Sequence, residues 1–164
     1  MIRTWFISDT HFNHTNIIKY ENRPFQSVEE MNQTMIENWN RVVRKDDRVF
    51  HLGDVGFGSQ EELVKIVQQL NGRKHLVLGN HDRKKFNWFK AGFESFSRFP
   101  IILDNFFILS HEPVYLNDSM PYANIHGHIH SRLMTGNYFN VSVEIIGYEP
   151  FLFEDIKKSF KSRN

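Results

Sequence analysis

Apolar runs and amphipathic segments alternate along the first half of the chain. Residues 2–8, 48–52 and 75–78 are short, mostly apolar runs, which are typical of parallel strands covered on both faces. Between them lie two segments whose apolar residues recur at helical spacing. The first stripe consists of Met31, Met35, Ile36, Trp39, Val42 and Val43, and the second of Leu63, Ile66, Val67 and Leu70. This β-α-β-α-β order predicts a parallel sheet with right-handed crossovers.

Polar residues mark where these helices begin, and the second half of the chain is less regular. Ser27 with Glu30 predicts a capping box, and Ser59 predicts the start of the second helix. The later elements are expected to be a helix over 84–91, a hairpin of strands 101–103 and 106–109, strands over 125–127, 138–143 and 151–153, and a helix over 154–160. A parallel half followed by an antiparallel half predicts an α/β fold in which two sheets pack face to face with helices outside.

Length and composition exclude several classes of protein. The chain has 164 residues, which predicts one domain over 1–164. Lys and Arg number 20 and Asp and Glu number 19, so the bulk charge indicates neither a nucleic-acid nor a membrane partner. The chain has no cysteine, which excludes disulfides and thiolate metal sites. The N-terminus lacks the apolar core of a signal peptide, and we expect a cytoplasmic protein.

The polar residues that follow the apolar runs carry the chemical signal. Five runs each end in one or two side chains of metal-ligand type, which are Asp9, His11, Asp54, Asn80, His111, His128 and His130. Because ligands bind at the carboxyl ends of strands in open α/β sheets, we expect these side chains on one rim. Oxygen and nitrogen ligands suit Mn, Fe, Zn, Ni or Mg. Seven ligands are roughly what two divalent ions need.

Each of these residues has a simpler interpretation when it is taken alone. A histidine at a strand end is commonly a hydrogen-bonded structural residue. An aspartate after a strand is commonly the N-cap of the next helix. The repetition of the pattern after five strands favours the metal site.

Five blocks of sequence resemble the signature blocks of the calcineurin-like metallophosphoesterases, in the family's order. They are Asp9-Thr10-His11, Gly53-Asp54, Gly79-Asn80-His81-Asp82, His111, and Gly127-His128-Ile129-His130. The resemblance covers residues 9–130. Within the family, the chain is most similar to the small single-domain bacterial and phage-type phosphoesterases. It implies a four-layer α/β/β/α sandwich of two mixed sheets.

The resemblance also implies a role for each matching residue. One metal ion would be held by Asp9, His11 and His130, and the other by Asn80, His111 and His128, with Asp54 bridging the two. A hydroxide bridging the metals would attack phosphorus in line. His81 would then donate a proton to the leaving alkoxide. The alternative for His81 is a structural role behind the ligands.

Three other residues, two near these blocks and one within them, have two open interpretations each. In the small branch that the chain resembles, the positions of His14 and Arg23 lie in the loop beside the site, so that each would hold a non-bridging phosphate oxygen or serve as an ordinary polar loop residue. Asp82 is expected to be the N-cap of the helix that follows it, and the alternative is that it orients His81.

These residues predict a metal-dependent phosphoric ester hydrolase that uses two divalent ions, with Mn²⁺ as the preferred metal. Loop 53–58 lacks the Asp-Arg-Gly extension of the protein Ser/Thr phosphatases. We therefore do not expect a phosphoprotein substrate. Because the small bacterial and phage-type branch that the chain resembles tends to favour diesters, the resemblance implies a small phosphoester substrate, with nucleotides among the candidates, and a phosphodiesterase in preference to a phosphomonoesterase. The enzymatic alternatives are a phosphomonoesterase and a nucleotide pyrophosphatase.

Two other classes of function compete with an enzyme. A non-catalytic scaffold of the same fold would bind proteins, but such scaffolds tend to lose ligands or the catalytic histidine, and this chain keeps all of them. A nucleic-acid-binding module would need a basic face with interleaved aromatic residues, which the near-zero net charge does not indicate. The pattern leaves the oligomeric state open.

Overall fold

A computed structural model describes residues 1–83 and 85–161 of the chain. The strands in this part are β1 (Thr4–Ile7), β2 (Arg48–His51), β3 (Arg73–Val77), β4 (Phe93–Ser97), β5 (Ile101–Leu103), β6 (Phe107–Leu109), β7 (Ala123–His126), β8 (Tyr138–Asn140) and β9 (Phe151–Leu152). The helices are α1 (Thr15–Tyr20), α2 (Val28–Val42), α3 (Gln60–Val67), α4 (Trp88–Ala91), α5 (Val143–Ile146) and α6 (Phe153–Lys161). Within the described residues, no helix is both long enough and apolar enough to cross a membrane.

Both sheets are mixed. The first has the strand order β4-β3-β2-β1-β9, in which β1 to β4 are parallel and β9 is antiparallel to β1. The second has the order β5-β6-β7-β8, in which only the β5–β6 pair is antiparallel. The predicted α/β fold of two mixed sheets with helices is confirmed.

The expectation that the second half would be antiparallel is wrong beyond the β5–β6 hairpin. Segments 110–122 and 127–137 connect β6 to β7 and β7 to β8, and connections of roughly a dozen residues permit parallel crossovers. The parallel strands of each sheet consequently end on one side of that sheet. This direction is what brings polar strand ends together.

Two apolar layers explain why the central strands are apolar on both faces. Trp5 and Ile7 face helices α2 and α3, where Trp39 and Val67 are buried. Phe6 lies on the opposite face of the same strand and packs in the layer between the sheets, because successive strand residues point to opposite faces. That inner layer also contains Phe50 and Val77 from the first sheet, Leu109 and Ile125 from the second sheet, and Ile156 from α6.

The N-terminal caps of the two predicted helices differ in how completely they form in the structure. Ser27 accepts a hydrogen bond from the amide of Glu30, but the Glu30 carboxylate binds the amide of Gln26 instead of closing the capping box. Ser59 and Glu62 form a complete capping box at the start of α3.

The sequence pattern does not predict three short elements, and one predicted helix is shorter than expected. Strand β4 and helices α1 and α5 have only four to six residues each, too few for a period to be recognised. The predicted helix over 84–91 is limited to Trp88–Ala91, and Lys84 lies outside the described residues. Asn87 caps this helix by accepting from the amide of Lys90.

A buried carboxylate fixes the end of the first sheet opposite the polar rim. Asp47 accepts hydrogen bonds from the main-chain amides of Arg3 and Arg44, from the Arg3 guanidinium and from the indole of Trp5, all at 2.9–3.0 Å. Burial alone raises the pKa of Asp47, but these donors outweigh it and lower the pKa from 3.8 to about 2. The ionised form therefore stabilises the fold.

Replacing Asp47 with alanine is expected to reduce the free energy of unfolding by about 2–3 kcal/mol, because it leaves buried donors unpaired. Since the folded-state pKa lies below 3.8, the contribution is complete above that pH and is lost as the pH falls toward 2. Urea unfolding of both proteins at several pH values measures the difference. Asp46→Ala, at an exposed neighbouring position, is the control. A difference that does not vary between pH 6 and pH 3 would contradict this role.

Candidate metal centre

The polar ends of five parallel strands meet where the two sheets approach each other. The amide of Ser8, which follows β1, donates to the carbonyl of Val141, which follows β8. Nδ1 of His111, which follows β6, donates to the carbonyl of Leu52 at 2.7 Å. These bonds join the sheets at their carboxyl ends, so all seven expected ligands lie on one rim.

Three of these side chains form a first cluster. Asp9, His11 and His130 each offer a ligand atom within 4.8 Å of the other two. Nε2 of His130 is 3.9 Å from Oδ1 of Asp9, and Nε2 of His11 is 4.0 Å from the same oxygen. An ion between these atoms would have one carboxylate and two imidazole ligands.

A second cluster lies next to the first. Oδ1 of Asn80 is 2.9 Å from Nε2 of His111 and 3.0 Å from Nδ1 of His128, and these two nitrogens are 3.2 Å apart. Oδ2 of Asp54 is 3.4 Å from Nε2 of His111 and 3.5 Å from Nε2 of His11. The carboxylate of Asp54 is therefore shared between the two clusters.

The donor atoms fit divalent cations and are poorly satisfied by the protein alone. Asp9, His11, Asp54 and His111 are all buried. Oδ1 of Asp9 and Nε2 of His11 are buried without a hydrogen-bond partner among the described residues. Leaving buried polar atoms unpaired costs free energy. A cation coordinated by oxygen and nitrogen removes this cost.

The protonation states at neutral pH mostly suit cation binding. Burial lowers the pKa of His11 to about 2, so its imidazole is neutral. Burial raises the pKa of Asp54, but His111 and His11 outweigh it and lower the pKa to about 2. Burial lowers the pKa of His111, but Asp54 and Asp9 outweigh burial and raise it to about 9. A metal ion would replace the proton on Nε2 of His111.

The backbone of the candidate ligands is strained. Asp9, His11, Asp54, His128 and His130 all have φ between 49° and 68°, in the left-handed region that favours glycine. Each such residue costs about 1–3 kcal/mol, and such strain is characteristic of functional sites. Five strained residues in one small region indicate that the surrounding structure holds these side chains in place despite the unfavourable backbone conformation.

Two glycines allow the loops to approach closely enough. A Cβ on Gly79 would overlap Oδ1 of Asp54, and a Cβ on Gly127 would overlap Oγ of Ser8 and Oδ2 of Asp9. A side chain at either position would displace a candidate ligand. These glycines are thus part of the site although they bind nothing.

Asp82 has a different role from the one expected of it. Its buried carboxylate accepts from the amides of Asp54, Val55 and Gly79 at 2.8–3.0 Å. It does not cap the next described helix, α4, which begins after Asn87. Burial raises the pKa of Asp82 to about 6, so it is mostly ionised at pH 7. Asp82 fixes the Asp54 loop against the Gly79 loop.

Arg23 lies beneath the first cluster instead of facing an open site. Its side chain is fully buried, and its guanidinium donates to the carbonyls of Asp9 and Thr10 at 2.7 and 2.9 Å. It also forms a two-point ion pair with Oε1 of Glu144. The expected contact between Arg23 and a phosphate oxygen is therefore replaced by contacts that support the Asp9 loop.

Glu144 is a residue of the site that the sequence pattern did not reveal. Its Oε1 atom accepts from Nδ1 of His130 at 3.1 Å, which leaves Nε2 of His130 directed at the first cluster. No local signal marks Glu144, because its partners His130 and Arg23 are 14 and 121 positions away.

His14 lies beside the site, partly exposed. Its Nδ1 is 3.3 Å from Nδ1 of His11, the nitrogen that faces away from the cluster. Its ring packs on Phe57 with a centroid distance of 4.2 Å. His14 thus contacts a candidate ligand directly, and a contact with a phosphate oxygen remains a separate prediction.

His81 is exposed beside His11 and the shared carboxylate of Asp54. Its amide donates to Oδ1 of Asp54 at 2.9 Å, and its ring centroid is 5.7 Å from that of His11 and 5.6 Å from that of Phe57. The backbone is therefore tied to the shared carboxylate while the imidazole faces solvent. A group in this position can reach a molecule bound over the clusters.

Comparison with known proteins identifies the family. A family model described as "Calcineurin-like phosphoesterase" matches residues 2–160. The chain belongs to this family. An Aquifex aeolicus structure, titled as a protein of unknown function, AQ665, superposes with a TM-score of 0.74 at 29% identity, covering 97% of this chain and 100% of that one.

Two relatives of this calcineurin-like phosphoesterase come from an archaeon and a phage. The "Uncharacterized protein MJ1445" of Methanocaldococcus jannaschii is 41% identical over 96% of this chain and 91% of that protein. The "Gene 66 protein" of Mycobacterium phage L5 is 40% identical over 50% of this chain and 41% of that protein. The similarity to a phage protein agrees with the expected small phage-type branch. Membership of the family implies metal-dependent hydrolysis of a phosphoester.

Replacing Glu144 with glutamine is expected to weaken Mn²⁺ binding about 10–100-fold, because the imidazole of His130 loses the carboxylate that orients it. Titration calorimetry on the metal-stripped protein measures the Mn²⁺ affinity. Glu149→Gln is the matched control, since Glu149 pairs with Arg41 away from the site. An unchanged affinity in Glu144→Gln would show that the contact with His130 is incidental.

Proposed function

We propose that this calcineurin-like phosphoesterase is a phosphodiesterase with a dinuclear metal centre. The observation that carries the proposal is the carboxylate of Asp54, which has an imidazole of each cluster within 3.4–3.5 Å of the same oxygen. A single ion would occupy only one of the two clusters. Two ions sharing a carboxylate are typical of sites that hydrolyse phosphoesters.

The ligands divide between the two ions. Asp9, His11 and His130 would hold the first, Asn80, His111 and His128 would hold the second, and Asp54 would contact both. When bound, the ions supply a water acidic enough to attack at neutral pH and positive charge for the oxygens of the transition state. Mn²⁺ suits this set of oxygen and nitrogen ligands.

The protein's own residues orient the reacting groups. His81 faces the substrate with its amide tied to Asp54, and its imidazole donates a proton to the departing alkoxide. Asp82 and Arg23 hold the loops that carry Asp54 and Asp9. Because both are buried and fully engaged, the ligands are positioned before a substrate binds, which lowers the cost of reaching the transition state.

The position of Arg23 favours a diester over a monoester. At neutral pH a phosphomonoester carries between one and two negative charges, since its second pKa is about 6, whereas a diester carries one. The guanidinium expected to neutralise a further oxygen is instead paired with Glu144 below the site. A site that lacks this contact favours the less charged phosphate. The substrate would be a small phosphodiester, and nucleotides are candidates.

Hydrolysis assays with the metal-stripped protein test the function. With Mn²⁺ added back, we expect bis-p-nitrophenyl phosphate to be cleaved faster than p-nitrophenyl phosphate, and neither to be cleaved after chelation. Asp54→Asn should abolish turnover and weaken the binding of both ions, since it removes the shared carboxylate. Faster cleavage of the monoester would identify a phosphomonoesterase instead.

His81→Ala is expected to lower the rate about 10²-fold or more, because the leaving group loses its proton donor. The bound metal should be unchanged, as measured by elemental analysis, because the side chain of His81 is not among the ligands. His75→Ala is the control, since His75 lies on β3 and contacts Ser95. Loss of metal in His81→Ala would contradict the assigned role.

A further inference from the structure

A cleft adjoins the second cluster, and Phe57 is not among the residues that line it. Two neighbouring cavities of about 360 and 500 Å³ share the lining residues Leu78, Gly79, Asn80, Arg98 and Phe99. The smaller is also lined by His111, so two candidate ligands form part of its wall. Cavities of this size hold organic ligands in other proteins, and neither is needed to place two metal ions.

Phe99 is the main aromatic group of this cleft. It is 76% exposed, although an aromatic ring gains free energy from burial. The Oγ atom of Ser97 accepts from the amide of Phe99 at 3.1 Å and donates to its carbonyl at 2.8 Å. The backbone is therefore held in a defined turn while the ring lines an open cavity.

The charges along the cleft suit a neutral group. Arg98 and Glu112, one cation and one anion, both line the smaller cavity, together with Pro100 and Pro113, and Asp82 lines the larger cavity with Arg98. Opposite formal charges and apolar surfaces do not favour a second phosphate. They are suited to an uncharged planar group with polar edges.

We propose that this cleft binds the retained ester group of a phosphodiester, with a planar aromatic ring carried by that group, such as a nucleobase, stacked on Phe99. The proposal rests on the proposed phosphodiesterase function. The two ester groups of the substrate then lie on opposite sides of the metal centre. The leaving group lies on the side of His81 and Phe57, and the retained group lies on the side of Asn80 and His111.

This arrangement determines which of the two ester bonds of the diester is hydrolysed. Water adds across one P–O bond: its oxygen bonds to phosphorus, the departing alkoxide takes a proton from His81, and the proton released by the water returns to His81 through solvent. The other P–O bond stays intact, and the product in the cleft is a monoester of the alcohol that carries the aromatic ring. A monoester substrate has no second organic group and leaves the cleft empty.

Three substrates with the same p-nitrophenolate leaving group test the cleft. They are the phenyl and methyl diesters of p-nitrophenyl phosphate, and p-nitrophenyl phosphate itself. In Phe99→Ala we expect KM for the phenyl diester to rise about tenfold, as expected for a lost stacking contact. KM for the methyl diester and the monoester, and kcat for all three, should be unchanged. Phe99→Trp should restore the phenyl diester KM.

Phe89→Ala is the matched control, because Phe89 is also an exposed phenylalanine and lies on α4 outside the lining of these cavities. An equal rise in KM for the phenyl and methyl diesters in Phe99→Ala would overturn the proposal. So would an unchanged KM for the phenyl diester.

Binding of phenylphosphonate and methylphosphonate to the Mn²⁺-loaded protein tests the cleft without turnover. Calorimetry should show tighter binding of phenylphosphonate, by about tenfold, and the difference should vanish in Phe99→Ala. Absent turnover combined with this Phe99-dependent binding would overturn the phosphodiesterase function and support the cleft. Turnover combined with equal binding of both phosphonates would support the function and overturn the cleft.

Discussion

The carboxylate of Asp54 is the group on which the arrangement of the site depends. It is buried between two sheets, with imidazoles of His11 and His111 directed at the same oxygen. Ionised carboxylates are costly to bury unless positive charge or hydrogen bonds compensate them. Here the amide of His81 supplies one hydrogen bond, while Oδ1 of Asp9 and Nε2 of His11 nearby have no hydrogen-bond partner among the described residues. Divalent cations are the partners that complete such an environment, which is the chemistry of the family.

The surrounding structure holds the candidate ligands in a locally unfavourable backbone conformation. The left-handed backbone of five candidate ligands is unfavourable locally, so other contacts must fix the loops. Asp82 ties the Asp54 loop to the Gly79 loop, and Arg23 ties the Asp9 loop to Glu144. Glu144 also accepts a hydrogen bond from His130. A chain of contacts therefore runs from the Arg23 guanidinium through Glu144 to the His130 imidazole of the first cluster. Phe57 packs near the rings of His11 and His81, and Phe99 lines the cavities beside Asn80.

Much of the fold followed from pattern alone. Strand β1 is apolar on both faces because helices cover one face and the second sheet covers the other, and helices α2 and α3 show their buried stripes directly in the sequence. The direction of β6, β7 and β8 did not follow, because a connection of a dozen residues is compatible with either direction. The short elements β4, α1 and α5 were missed, since four to six residues carry too little periodicity.

For the site, the sequence by itself predicted which polar side chains would lie together on one rim. Asp9, Asp54, Asn80 and His111 each follow an apolar run, and a strand delivers the residue after it to the edge of its sheet. What the sequence could not determine is which atoms meet. Asp82 satisfies backbone amides instead of capping a helix, Arg23 lies under the site instead of facing it, and Glu144 and Phe99 join the site from distant segments. Only the tertiary structure decided these contacts, because hydrogen bonds and cavities depend on distances between segments that are far apart in the chain.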